Sequence, residues 1–238
     1  MKLSLMVTCL GDVLRPAAAK ATVLLLRRLG HEIDFPERQT CCGQPFYNSG
    51  FADYARQQAR HTIEVFEGER TVVAPSGSCA AMVKVEYPHL LEAEPGWHER
   101  AQGLAARTFE LSDLLVNRLG VLDVGAKYQG KVAYHYACHL RGLGLSDEAE
   151  RLIRHVEGAE LMTLRHADQC CGFGGSFSVR YPDISTAMVN DKVKCVLETG
   201  ADCLVSTDTG CLMNIGGRLR RLRKPLEILH LAELLERR

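Results

Sequence analysis

Short apolar runs alternate with longer stretches of helical period along the whole chain. Leu3 to Val7 reads as a buried strand. Pro16 sits where a helix can start and Gly30 where it can end, with Ala21-Thr22-Val23-Leu24-Leu25-Leu26 as the apolar stripe between them. His31 to Phe35 is a second strand candidate, stopped by Pro36. Phe51, Tyr54, Ala55, Ala59, Ile63 and Phe66 then fall near helical spacing. Thr71 to Ala74 is a third strand, followed by the turn Pro75-Ser76-Gly77-Ser78 and a further helix. The second half runs the same course, with strands at Val132–Tyr136, Ala159–Leu164 and Cys203–Ser206 and a helix over Met188–Glu198. Strands alternating with helices predict parallel α/β units. The fold class expected is α/β, as two pseudo-repeated halves, each a small, mainly parallel sheet flanked by helices.

The cysteines make the repeat explicit. Cys138, Cys170 and Cys171 lie 129 residues after Cys9, Cys41 and Cys42, and Cys211 lies 132 after Cys79. Each half therefore reads C-x31-C-C-G with a distant fourth cysteine. Leu111-Ser112-Asp113-Leu114-Leu115 and Leu231-Ala232-Glu233-Leu234-Leu235 close the two halves alike. The polar, turn-like segment at Tyr128-Gln129-Gly130-Lys131 places the division at residues 1–127 and 128–238. Cys195 and Cys203 have no counterpart in the first half and read as small buried hydrophobes.

In parallel sheets, ligands bind beyond the carboxyl ends of the strands. The repeated cysteines fall at such ends or in the loops after them, so the topology brings distant thiols to one edge of each half-sheet. Cys9, Cys41, Cys42, Cys79, Cys138, Cys170, Cys171 and Cys211 are the candidate cofactor and metal ligands. Four thiolates can hold an iron–sulfur cluster or a tetrahedral zinc ion. Structural zinc favours paired C-x2-C knuckles, and adjacent side chains diverge unless the turn between them is unusual. Gly43 and Gly172 let the backbone bend there. A thiol–disulfide device working through Cys41/Cys42 or Cys170/Cys171 stays open beside the iron–sulfur and zinc readings. His135, His139 and His166 read as polar loop histidines, with His139 the one placed immediately beside a ligand. Ser76 reads as a turn residue and Asp208 as a helix cap, with a role at the site left open by their matched positions.

Composition narrows the class. Lys plus Arg and Asp plus Glu are 29 each, which argues against a nucleic-acid partner, and Arg218, Arg220, Arg221, Arg223 and Lys224 read as a solvated face. No stretch reaches the roughly 18 apolar residues of an integral membrane span. The first residues lack a full signal-peptide core, so a cytoplasmic location is expected. Ten cysteines in a reducing compartment point to metal or redox chemistry. No flavin or nicotinamide site is seen, since no G-x-G-x-x-G follows a strand. Electrons would then enter and leave through partners.

The motif pair resembles the cysteine-rich CCG domain of heterodisulfide reductase and glycolate oxidase iron–sulfur subunits. Over the whole chain the resemblance is to the lactate utilisation protein A family. It rests on Val7-Thr8-Cys9-Leu10, Cys41-Cys42-Gly43-Gln44-Pro45, Tyr47-Asn48-Ser49-Gly50 and Pro75-Ser76-Gly77-Ser78-Cys79 in the first half. Cys170-Cys171-Gly172-Phe173-Gly174-Gly175 and Gly210-Cys211-Leu212-Met213-Asn214 carry it in the second. The resemblance implies a subunit of an oxidoreductase complex that oxidises L-lactate to pyruvate, so that cells grow on lactate. It also implies an iron–sulfur cluster, of the 4Fe–4S type, and two partner proteins of the same system, one itself an iron–sulfur protein. The heterodisulfide-type motif ends in C-x2-C, whereas here Ser76 and Asp208 stand at the first position of that pair. That departure favours a conventional or labile cluster over a five-cysteine one.

Overall fold

The computed structural model describes residues 1–238. It contains two four-stranded sheets. The first is built from β1 (Lys2–Leu5), β2 (Glu32–Asp34), β3 (Thr71–Ala74) and β4 (Thr108–Glu110). The second comprises β5 (Lys127–His135), β6 (Glu157–Met162), β7 (Cys203–Ser206) and β8 (Glu227–His230). The orders are β2-β1-β3-β4 and β6-β5-β7-β8, and every pairing is parallel. The expected fold class is therefore observed, twice over in one topology.

Parallel strands covered on both faces read as continuous apolar runs rather than alternating ones. Val72-Val73-Ala74 and Cys203-Leu204-Val205 are such runs, and each is fully buried. Both sheets also share a topological switch point. The chain leaves β1 for β2 on one side, then crosses back to β3 on the other. The crevice at such a point lies beyond the carboxyl ends of the two central strands. It falls after β1 and β3 in the first half and after β5 and β7 in the second.

The two sheets do not stand apart. One apolar cluster joins Leu3, Leu5, Leu25 and Leu26 of the first half to Val132, Val205, Leu231, Leu234 and Leu235 of the second. The helix Pro16–Arg28 packs on the last helix, Leu231–Glu236. The Arg28 guanidinium donates to the carbonyls of Leu235 and Glu236 at 2.7 and 3.0 Å, satisfying orphan groups at that helix's end, and to the Val124 carbonyl before β5 at 3.1 Å. Arg15 donates to the Ile228 carbonyl at 2.9 Å and to Glu233 Oε2 at 2.7 Å. Separate clusters cover the outer faces, around Ala59, Ile63 and Leu104 on one side and Val189, Val193 and Ile215 on the other. No helix is long and apolar enough to cross a membrane. Arg220, Arg221, Arg223 and Lys224 are exposed at the end of the helix Thr209–Arg221.

β4 and β8 end in matched buried caps. Glu110 accepts at Oε2 from the Ser112 amide at 2.7 Å and from the Ser112 hydroxyl, while Oε1 has no partner. Burial pushes its carboxyl up to about 7. His230 caps the other half through Nδ1, which accepts from Ala232 N at 3.1 Å. A carboxyl raised in the folded state is protonated there while the unfolded chain has already ionised. Its stabilising contribution is whole below the unfolded value of 4.5 and is lost as pH rises to about 7. Glu110→Gln should remove this pH dependence, so the stability gap between variant and wild type should change by roughly 3 kcal/mol between pH 4 and pH 8. Urea unfolding at those two pH values measures it, and a constant gap would mean that Glu110 is ionised in the fold.

Candidate metal centre

Four of the eight thiols are delivered by the first turn of a helical segment that follows a strand. Cys9 and Cys138 follow β1 and β5 and open short helical segments. Cys79 and Cys211 sit in the first turns of the helices Gly77–Ala81 and Thr209–Arg221, which follow β3 and β7. Ser76 and Asp208 are the caps of those two helices: Ser76 Oγ accepts from Cys79 N at 3.3 Å, and Asp208 Oδ1 from Gly210 N at 3.0 Å.

The adjacent pairs lie in the loops after β2 and β6. There the backbone turns through Gly43 at φ +85° and Gly172 at φ +80°. A Cβ at position 172 would lie 2.8 Å from the Ser185 carbonyl oxygen and 2.9 Å from Met188 Cβ. Both the dihedral and the close approach therefore require glycine. The turn also aims its own N–H at sulfur, with Gly43 N donating to Cys41 at 3.5 Å and Gly172 N to Cys170 at 3.4 Å. Neighbouring side chains that would otherwise diverge thus enter the same row. The next carbonyls are tied down, Cys42 O by the Tyr87 hydroxyl and Cys171 O by Asn214 Nδ2, at 2.7 and 2.8 Å. The sequence gives no sign of these roles for Tyr87 and Asn214, because each works through the backbone of a distant loop.

In each half the four sulfurs form a continuous row. In the first half Cys42 Sγ meets Cys79 Sγ at 3.3 Å, and the titrations of Cys9 and Cys41 are governed by their neighbours in the order Cys9, Cys41, Cys42. Cys138, Cys170, Cys171 and Cys211 repeat the order. The second member of each row is the natural thiolate. Hydrogen bonds from Cys42 and Cys9 hold Cys41 down to about 3, and those from Cys138 and Cys171 hold Cys170 down to about 2. The same contacts, with burial, push Cys42 and Cys171 well up.

Both rows open onto one chamber of about 520 Å³ between the halves, lined by all eight repeated cysteines. Its floor is a link between the two halves. Ser76 Oγ and Ser78 N each donate to Asp208 Oδ2 at 3.1 Å, and Gly77 N donates to the Thr207 carbonyl at 3.3 Å. The two residues that replace a motif cysteine thus meet each other. On the walls, Gln44 of one half lies 3.2 Å from His139 of the other, and Ser49 lies 2.7 Å from Ser176.

The chemistry of this donor set fits a metal group. No lysine or arginine lines the chamber, and its one carboxyl, Asp208, adds negative charge. Gathering thiolates there without a countercharge is costly, and a cationic metal centre removes the cost. A water takes about 30 Å³ in the liquid, so the space is an order of magnitude larger than one small ion needs. Cys203 is buried in β7 within the shared core, and Cys195 is half-buried beside a separate shallow pocket with His166; neither faces the chamber. His166 holds its loop through its carbonyl, which accepts from buried Lys192. His139 lies 3.7 Å from the Cys138 sulfur. His135 is not a loop residue at all. It ends β5 fully buried, its ring and the Cys171 and Cys211 sulfurs lying within 4.8 Å of one another. Burial, reinforced by Lys192, pushes it down to about 3, so the ring is neutral.

A duplicated α/β fold with two rows of four thiols facing one chamber defines a twin-lobed, cysteine-rich protein. The profile of the cysteine-rich domain CCG matches it twice, over residues 4–84 and 132–216. Lactate utilization protein A of Bacillus licheniformis is 54% identical over 100% of both chains, and that of Geobacillus thermodenitrificans 52% identical over 100% of both. The chain belongs to this lactate utilization protein A family. Among solved structures, an aspartate racemase homologue from Pyrococcus horikoshii is 9% identical over 99% of this chain and 95% of its own, with a TM-score of 0.35, a likeness too slight to carry an argument.

Proposed function

We propose that this protein is a cytoplasmic iron–sulfur electron-transfer subunit in the oxidation of L-lactate to pyruvate. The observation that supports it is the meeting of eight thiols at one chamber in a member of this family. An iron–sulfur cluster supplies one-electron storage and release at such a site, and its potential responds to hydrogen bonds and burial. The chain's own residues provide those terms. Cys9, Cys41, Cys42 and Cys79 hold one group, and Cys138, Cys170, Cys171 and Cys211 the other. Gly43 N and Gly172 N donate to sulfur, and the Ser76–Asp208 link keeps the two sets facing each other. Lactate oxidation yields two electrons and two protons, and two sites in one chamber suit the passage of electrons one at a time. Donor and acceptor are the two partner proteins of the lactate-utilisation system.

Anaerobic purification with an absorption spectrum and assays of iron, sulfide and zinc tests this reading. Broad brown absorbance with near-stoichiometric iron and sulfide is expected. The close Cys42–Cys79 contact favours one rival, a thiol–disulfide device. A colourless, metal-free protein that remains active would establish that rival, and stoichiometric zinc would establish a structural metal instead.

A further inference from the structure

The two halves differ at one point beside the thiols. Three residues before the first cysteine of each row stands Met6 in one half and His135 in the other. Both are buried at the end of a central strand. Met6 shares an apolar cluster with Cys42 and Cys79, and His135 lies with Cys171 and Cys211. A thioether in that place is content among apolar groups. An imidazole is not, for a buried polar atom without a partner costs about 1–3 kcal/mol. Neither ring nitrogen of His135 has a hydrogen-bond partner, although the residue is fully buried. The charged groups nearest its ring are Lys192, from the helix Pro182–Glu198, and Cys170 and Asp208, from the loops packed against β5. None of these bonds to it, and the sulfurs of Cys171 and Cys211 are what it faces.

We infer that His135 gives a ring nitrogen to the metal group of the second thiol row, so that the two sites are unequal: all-sulfur in the first half, mixed nitrogen and sulfur in the second. A neutral imidazole carries one N–H and one lone pair, so it binds through the lone pair without releasing a proton. There the imidazole takes the place of one thiolate of its row, and histidine in place of thiolate raises the potential of an iron–sulfur centre. The second site is then the better electron acceptor, and electrons run from the first half to the second. This rests on the metal-centre reading of the thiols.

The test is pulsed electron–nuclear resonance on reduced, metal-loaded protein carrying 15N-labelled histidine; if zinc is the metal found, cobalt(II) put in its place gives the same readout. One strongly coupled histidine nitrogen is expected. His135→Met and His135→Asn should both lose it, and His139→Asn should keep it. Met6→His should add a second coupled nitrogen, an outcome that does not depend on the fold tolerating a change at position 135. In a redox titration His135→Met should lower the more positive of two steps and leave the other in place. Metal-loaded wild type without a coupled histidine nitrogen, or loss of the signal with His139 instead, overturns the inference alone. Protein that binds no metal overturns it together with the functional reading.

Discussion

Cys42→Ser and Cys171→Ser are each expected to strip the metal from one half and to abolish growth on lactate. Each thiol is the third of its row and is buried, with Cys42 Sγ 3.3 Å from Cys79 Sγ. Serine puts a hard, weakly acidic oxygen where a soft thiolate is needed. An unpaired buried hydroxyl costs about 1–3 kcal/mol, against a typical total stability of 5–15 kcal/mol, so the variants should fold. Iron assayed after anaerobic purification should fall by about half in each, one thiol row of the two being lost, and to near zero in the double variant. Complementation of a strain lacking the gene reads the growth phenotype. Cys195→Ser is the control, because Cys195 is half-buried and away from the chamber. Full iron and full growth with Cys42→Ser or Cys171→Ser would remove that residue from the ligand set.

Asp208→Ala should cost the protein about 2–3 kcal/mol, since three donors lose their acceptor at about 1 kcal/mol each and only the Ser76 hydroxyl has another within reach, Ser78 Oγ at 3.2 Å. Those donors are Ser76 Oγ, Ser78 N and Gly210 N. Asp208 both caps its own helix and holds the opposite half, so its loss should loosen the chamber as well as the fold. Ser76→Ala removes one of the three bonds together with a helix cap and should cost about 1 kcal/mol. The two changes share a contact, so a double-mutant cycle should give a coupling of roughly 0.5–3 kcal/mol. Urea midpoints of the four proteins measure it. Strict additivity would show that the link contributes nothing across the halves.

Much of this architecture was legible in the chain. The runs Thr71–Ala74 and Cys203–Ser206 coincide with β3 and β7, because a strand buried on both faces leaves an unbroken apolar signature. β4 and β8 left no such mark: polar Thr108 and Glu110 frame one and Glu227 and His230 the other, so no unbroken apolar run remains. β5 begins at Lys127 rather than Val132, since its first residues are polar and pair with β6 through an irregular register near Gly130. The spacing of the cysteines foretold a meeting of thiols at the strand ends of each half. It could not foretell that the two meetings occupy one chamber. That depends on how the halves face each other, which is fixed by Leu25, Leu26, Leu234 and Leu235 in the shared core. His135 falls inside the strand expected at Val132–Tyr136, yet its polar ring was grouped with the loop histidines; only the fold shows that this strand position is fully buried.

The pairing of the helices Pro16–Arg28 and Leu231–Glu236 bears on how the chain is made. One emerges from the ribosome about two hundred residues before the other. At roughly 5–20 residues per second, the early helix waits on the order of 10–40 s for its cover. Throughout that interval Leu25, Leu26 and the Arg28 guanidinium have no mate, and a nascent chain in that state is a natural client for a holding chaperone.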